Sequence, residues 1–408
     1  MLERSKCMNV PEIRFKEFCD YYSDVLLEKC LSVSNKKNNK LEYKKEDALS
    51  VSDEFGVVNQ IEHLGRSYTG NNISTYKILN KGQIVYTKSP LKLKPFGIIK
   101  VNNNKPGIVS VLYAIYDVKE GFEPNYISVY FEPNFRLNRY LLPLINKGAK
   151  NTINISDETA LSGEVHIPLS YAEQQKIASY FQSLDSLIQT TSKKLASLKQ
   201  IKAASLQSMF PQEGETVPKV RFKGFEGEWK KEKLGNLFKE RIENNINGEL
   251  LSVTINNGII KASDNGRFDN SNNDKSHYKV VKIGDIVYNT MRMWQGSSGY
   301  SAYEGIVSPA YTVIIPQEQV FPLFFAYLFK TQSLINRFRI HSQGLTTDTW
   351  NLKFTGFSII EVCFPKSKLE QQKIASYFCN LDKQISLQTQ HLEKLKQIKA
   401  ACLDKMFV

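Results

Sequence analysis

No stretch of this sequence is long and apolar enough to cross a bilayer. Its longest apolar run, Phe321–Phe329 (FPLFFAYLF), is nine residues, where a spanning helix needs roughly 20. The opening MLERSKCMNV has no apolar h-region, so no signal peptide and no membrane are expected, and the cytoplasm is the expected compartment. Six cysteines, at 7, 19, 30, 363, 379 and 402, form no CxxC pair and have no histidine at zinc-ligand spacing. They read as reduced thiols rather than as disulfides or a metal site. The five histidines are equally scattered, at 63, 166, 277, 341 and 391. There is no GxGxxG and no GxxxxGK loop, which argues against a dinucleotide or nucleoside triphosphate site. HExxH and the Asn-Pro-Pro-aromatic motif of amino-methyltransferases are missing too. Glu42-Tyr43-Lys44, with Asp20 or Asp24 upstream, has the residue types of a nuclease metal site. A charged loop is the better reading, since the second half of the chain has no counterpart. No catalytic residue and no metal are expected.

Positive charge, in contrast, is abundant. Lys plus Arg total 54 against 41 acidic residues, a net +13 over 408 residues, which favours a polyanionic partner. That length exceeds one ordinary core, so two or more domains are expected. The 41% apolar and 11% aromatic content is enough to build them and excludes wholesale disorder.

The chain repeats itself. EQQKIASYF occurs at Glu173–Phe181 and again at Glu370–Phe378, and LKQIKAA recurs at Leu198 and Leu395 at the same offset. Over positions 173–210 the two copies share 23 of 38 residues. Ahead of each copy lies a second repeat, VPEIRFKEF at Val10–Phe18 and VPKVRFKGF at Val217–Phe225. Weaker echoes fall between, KGQIVY at 81 against IGDIVY at 283 and GIVSVLY at 107 against GIVSPAY at 305. The expected organisation is therefore a first variable domain over 1–167, a helix over 168–210, a second variable domain over 211–364 and a second helix over 365–408.

Both well-matched segments are read as helices. Ile177, Phe181, Leu184, Ile188, Thr191, Leu195 and Leu198 step alternately by four and three, as do Ile374, Phe378, Leu381, Ile385, Gln388, Leu392 and Leu395. That is an a/d heptad seam with no glycine or proline inside it. Two separate amphipathic helices, each covering its own domain, would give a similar pattern. Two near-copies in one chain argue that they pair, and a pseudo-two-fold axis would make them antiparallel. Thr191 at the midpoint, with Gln388 as its expected mate, would then form a polar layer fixing register.

The variable domains read as α+β. Lys282–Tyr288 and Gly305–Ile315 have the β-branched content of strands; Phe321–Phe338 is apolar at helical spacing, and Trp229–Phe238 is a short helix candidate. Two polar segments of the second domain suit DNA: Asn289, Arg292, Trp294, Gln295 and Ser297 after the GDIVY strand, then Gln343, Thr346, Thr347, Asp348 and Thr349. Arg, Gln, Asn and Ser donate to base edges and phosphates, and the neighbouring glycines let backbone approach closely. A hairpin in which Trp294 merely packs is the plainer alternative. At matching places the first domain has Thr87, Lys88, Lys92 and Lys94, then Lys147, Lys150, Asn151 and Thr152. Lysines along the helices, such as Lys176, Lys202, Lys373 and Lys399, fit phosphates or partner proteins, although a solvated face explains any single one.

With these residues assembled, VPKVRFKGFEGEW, GDIVYNTMRMWQGSSG and the twin EQQKIASYF helices resemble the DNA specificity subunit of type I restriction–modification enzymes. The resemblance implies two target recognition domains in a pseudo-two-fold arrangement, each reading half of a split sequence on double-stranded DNA. It implies antiparallel helices that form a coiled coil, set the spacing and dock two copies of a modification (methyltransferase) subunit. A restriction subunit would join that complex, and S-adenosylmethionine would sit in the modification subunit, with no cofactor in this chain. Tyr22 stands where the second domain has Trp229, and the first domain lacks an Arg-Met-Trp-Gln loop. A protein-only coiled-coil adaptor and a stand-alone nuclease or methyltransferase are the alternatives; net charge opposes the first and the missing motifs the second.

Overall fold

A computed structural model describes residues 10–91, 93–147, 153–255, 258–265, 274–347 and 349–408. The chain divides into two compact units: Met1–Thr191 with His391–Val408, and Ser192–Gln390. Both boundaries fall inside long helices, Tyr171–Ser208 and Lys368–Lys405, each 38 residues. Every unit thus holds one variable domain, the start of one long helix and the end of the other.

The same small sheet recurs in both. In the first unit the strand order is Leu31–Val33, Ala114–Val118, Ile84–Tyr86, Ile99–Val101; in the second it is Phe238–Glu240, Tyr311–Pro316, Ile286–Asn289, Ser298–Tyr300. All the pairings are antiparallel. The IVY strands are apolar at every position because both faces of the sheet are covered. Ile84 and Tyr86 enter the large core with the helices, whereas Val85, pointing the other way, packs with Leu49, Val57 and Ile115. Ile286, Tyr288 and Val287 divide in the same manner. Period-two alternation on a doubly buried strand produces this split.

Several expected elements are interrupted. Lys282–Tyr288 yields a strand only from Ile286 onward, because Gly284 turns the chain at φ 97° after the strand Lys279–Val281. Gly305–Ile315 is two strands, Gly305–Val307 and Tyr311–Pro316. Phe321–Phe338 is two helices, Pro322–Leu328 and Gln332–Ile340. The Trp229–Phe238 expectation is corrected: only Leu234–Leu237 is helical, and Lys230–Lys233 forms a strand against Glu361–Phe364. Main-chain pairing across the domain overrides the weak local helix signal there.

Residues of the repeated motifs join each domain to its helix. Arg14 donates to both carboxylate oxygens of Glu173, Nε to Oε1 at 2.7 Å and Nη2 to Oε2 at 2.8 Å. Arg221 does the same to Glu370, at 2.7 and 2.9 Å. Each glutamate is about 1% exposed, and donating to its carboxylate raises the arginine pKa above the ordinary value. A neighbouring aromatic adds a further donor, Tyr22 Oη to Glu173 Oε1 at 3.4 Å and Trp229 Nε1 to Glu370 Oε1 at 3.3 Å. The glutamines that follow are pinned as well. Gln174 donates to the Pro168 carbonyl and accepts the Glu123 N–H, while Gln371 donates to the Pro365 carbonyl and accepts the Phe321 N–H. Glu123 and Phe321 each immediately precede a domain helix, Pro124–Tyr130 or Pro322–Leu328. The EQQ repeat therefore fixes a domain onto the first turn of a long helix.

Within each unit the helix segments run antiparallel. In the first, Tyr180 Oη lies 3.4 Å from Cys402 Sγ and Lys399 Nζ 2.6 Å from Asp185. In the second, Lys202 pairs with Asp382, and Ser205 Oγ lies 2.9 Å from Tyr377 Oη. Of the heptad positions, Ile177, Phe181, Leu184, Thr191, Leu195, Leu198, Ile374, Phe378, Leu381, Leu392 and Leu395 are buried, whereas Ile188, Ile385 and Gln388 are half-buried. Thr191 is only 5% exposed, and the stagger of the pairs in its own unit carries it to the level of Leu392. Its expected mate, Gln388, belongs to the other unit.

The chain's last residues complete the first unit. Phe407 packs against Tyr126, Tyr130 and Phe181, as Phe210 packs against Trp229, Phe324 and Phe378 in the second. Phe407→Ala is therefore expected to cost about 3–5 kcal/mol and to loosen the first domain, nearly three hundred positions away in sequence. Hydrogen exchange on the full chain checks this: protection should fall in peptides spanning 84–86 and 126–131 and stay unchanged in 286–289.

Candidate nucleic-acid interface

The two polar segments of the second domain come together in the structure. Strand Ile286–Asn289 leads into a loop closed by its own backbone, with Asn289 N–H donating to the Ser297 carbonyl at 2.9 Å and Ser297 N–H to the Arg292 carbonyl at 3.1 Å. A 3-10 turn covers Met293–Gln295 and ends at Gly296 with φ 81°. The second segment is a hairpin in which Gln343 and Asn351 exchange backbone bonds at 3.0 and 2.8 Å. Leu352 N–H donates to the Thr290 carbonyl at 2.8 Å, and Trp350 meets Trp294 edge to face at 5.2 Å. One loop thus buttresses the other.

Not every expected contact residue is free to read DNA. Ser297 is corrected: at 2% exposure it is part of the hairpin's closure. Asn289 spends its side-chain oxygen on the Met291 N–H at 3.0 Å, an Asx turn. Trp294 is half-buried, its Nε1 donating to the Met291 carbonyl at 3.0 Å, so it braces the loop. Arg292, Gln343, Thr346, Thr347 and Thr349 are exposed and Gln295 is half-exposed. Arg292 Nη1 approaches Gln295 Oε1 at 3.5 Å, placing a guanidinium fork and an amide side by side. Thr346 and Thr349 share hydroxyl–backbone bonds that shape the tip. Asp348 lies outside the described residues.

In the first unit the corresponding loop joins Ile84–Tyr86 to Ile99–Val101, and its described lysines, Lys88 and Lys94, serve the domain itself. Thr87 is corrected: it is 5% exposed, and its hydroxyl accepts the Ile98 N–H at 3.2 Å. Lys88, in a left-handed conformation at φ 51°, pairs with Asp157, which also holds Lys77 at 2.8 Å. Lys94 donates to the Glu132 carbonyl at 2.7 Å and stands 3.5 Å from Asp53. Lys147 lies in the strand pair Asn146–Lys147 with Ile153–Asn154, the counterpart of the Gln343–Asn351 hairpin. Lys92, Lys150, Asn151 and Thr152 lie outside the described residues. Sequence reasoning missed Asp157, whose only signal was an acidic residue just beyond the Lys147–Thr152 segment.

Among the described residues no group of three or more His, Cys, Asp or Glu could hold a metal ion, and Asp24 is engaged with His166. No helix among them is long and apolar enough to cross a membrane.

Comparison with known proteins adds a family and a fold. Residues 226–397 match the family described as the type I restriction modification DNA specificity domain. No curated protein matches the chain in sequence. The chain is similar in structure to the type I restriction–modification system S subunit from M. genitalium, with a TM-score of 0.59 and 12% identity over 98% of this chain and 99% of that one. It also matches the HsdS subunit from Thermoanaerobacter tengcongensis, with a TM-score of 0.43 and 14% identity over 95% and 96% of the two chains. The likeness in fold rests on the first of these.

The two loops end in the same left-handed glycine, Gly97 and Gly296, both at φ 81°. A Cβ on Gly97 would meet Thr87 Oγ1 at 2.9 Å, whereas one on Gly296 meets nothing nearer than 3.5 Å. Both alanine substitutions carry the left-handed cost of about 1–2 kcal/mol. Gly97→Ala adds a clash, so in denaturant titrations of the full chain it should be the more destabilising of the two.

Proposed function

We propose that this chain, which carries a type I restriction–modification DNA specificity domain, is the sequence-reading subunit of such a system and is not itself a catalyst. Each unit reads one half of a bipartite double-stranded target. The two long helices pair as an antiparallel coiled coil, hold the halves at a fixed separation and dock two modification subunits, which bring S-adenosylmethionine. A restriction subunit completes the complex, in the cytoplasm. The observation that carries this reading is the convergence of two polar loops in the second unit, which present Arg292, Gln295, Gln343 and the threonines of the hairpin tip from one braced platform.

Chemistry supports the assignment. An arginine fork suits the O6 and N7 acceptors of guanine and an amide suits adenine, both in the major groove, while threonine hydroxyls suit phosphates. The net charge of +13 supplies the nonspecific attraction on which such readout builds. In the first unit Thr87, Lys88 and Lys94 have structural partners, so its reading is assigned to the segment Lys147–Thr152.

Arg292→Ala is expected to cost about 1–3 kcal/mol at a single base. Base-resolution methylation mapping in cells carrying the variant with the modification subunit should show degeneracy at one position of one half and an intact other half. Relaxation spread equally over both halves would refute the assignment of this loop to one half-site.

A further inference from the structure

Lys330 lies two residues beyond the helix Pro322–Leu328, at the corner leading into Gln332–Ile340. Its ammonium is directed at the DNA-facing loop from behind. Nζ donates to the Ser298 carbonyl at 2.8 Å, to the Gly296 carbonyl and to the Ile255 carbonyl at 3.3 Å. An ammonium has three donors, so these bonds use all of them. Two of the carbonyls belong to the returning side of the loop that carries Arg292 and Gln295, and the third to the neighbouring turn after Leu251–Thr254. No carboxylate among the described residues pairs with Lys330; the nearby acid, Asp382, is paired with Lys202 and accepts from Tyr327 Oη. A lysine that a surface role would leave in water is thus committed to backbone.

The first unit ties the equivalent corner to its loop with polarity reversed. Glu132 stands two residues past Pro124–Tyr130, the place Lys330 holds after Pro322–Leu328. There the loop supplies the lysine: Lys94 Nζ donates to the Glu132 carbonyl at 2.7 Å. Glu132's own carboxylate is taken by Lys399. A corner-to-loop tie kept in both repeats, by different residues and in opposite directions, points to a requirement of the loop rather than of the corner.

We propose that Lys330 is a positioning residue for sequence reading by the second unit: by capping the Gly296, Ser298 and Ile255 carbonyls it holds the loop in the one pose from which Arg292 and Gln295 meet their bases. This rests on the reading of the chain as a DNA specificity subunit. Burial lowers the Lys330 pKa to about 8, and the groups facing it are Lys202 and Asp382 of the long helices with Tyr327 and Tyr300 in the same cleft. Between pH 7 and 9 the three-donor cation becomes an amine with two donors, so the tie weakens as pH rises. The unfolded chain, with an ordinary lysine pKa, binds more protons over that range, so this titration itself raises global stability with pH. Loss of reading and loss of fold therefore run in opposite directions for this group.

The test uses the full chain assembled with its modification subunit, methylating a randomised DNA library, with Lys330→Gln and Lys330→Met beside Arg292→Ala. Lys330 lines a cleft of about 740 Å³, so water replaces the lost ammonium and both variants are expected to fold. Lys330→Gln and Lys330→Met should lower discrimination at several positions of the second half by tenfold or more and leave the first half unchanged, whereas Arg292→Ala alters one position. For the unmodified chain, second-half discrimination should fall relative to the first half between pH 7 and 9, and in Lys330→Gln that ratio should be flat. An unchanged motif in both Lys330 variants, with Arg292→Ala still altering it, would overturn the positioning role and leave the specificity reading standing. A second half untouched by all three variants would overturn that reading, and the proposal with it.

Discussion

A buried carboxylate gripped by an arginine fork at the first turn of each long helix is the constraint on which the rest of the structure depends. Two charges taken out of water seldom add net stability, yet removing one partner costs about 3–5 kcal/mol because the other is left stranded. The value of such a pair is geometric: a bidentate fork accepts only one approach. At Glu173 it gathers Arg14 from the N-terminal segment, Tyr22 from the start of the domain and, through Tyr22 Oη, the Met406 carbonyl at the end of the other helix. At Glu370 it gathers Arg221 and Trp229. The domain, one helix start and one helix end are thereby placed together in each unit.

Once that junction is set, the sheet has little freedom. Its central strands are covered on both faces, which leaves the loops at their ends as the part open to solvent. The paired loops share a left-handed glycine at φ 81° and a tie to the corner behind them, yet their exposed chemistry differs. In the first, Lys88 and Lys94 turn inward onto Asp157 and Glu132; the second presents Arg292 and Gln295. On the proposed reading this is how one frame carries two different half-site specificities.

Much of this was legible in the sequence, for identifiable reasons. The repeat, the two helices and the IVY strands follow from heptad and two-residue periodicities, which report burial directly. Convergence of the 289–299 and 341–352 segments was not legible, although both were singled out, because Leu352 to Thr290 and Trp350 to Trp294 are contacts across the fold. The partnership of Arg14 with Glu173 escaped for the same reason. Its trace was present: both members sit in the two most faithfully repeated motifs, and Arg221 with Glu370 repeats them. Thr87 and Ser297 were misread because residue type advertises hydrogen bonding without saying with what. Each sits where a hairpin closes, and its bonding capacity is used by the hairpin.

The proposed function, in which paired helices hold two reading units apart, is tested most directly by removing one heptad from each helix, Thr191–Ser197 together with Gln388–Lys394. Ile188 and Leu198 then become seam neighbours, as do Ile385 and Leu395, and the separation shortens by about 10 Å, roughly 3 base pairs. Because a shift of about 3 base pairs also turns one half-site around the duplex by roughly a quarter turn, methylation mapping of this variant should return either no methylation or both half-sites with a gap shorter by about that amount. Methylation at the original gap would contradict the claim.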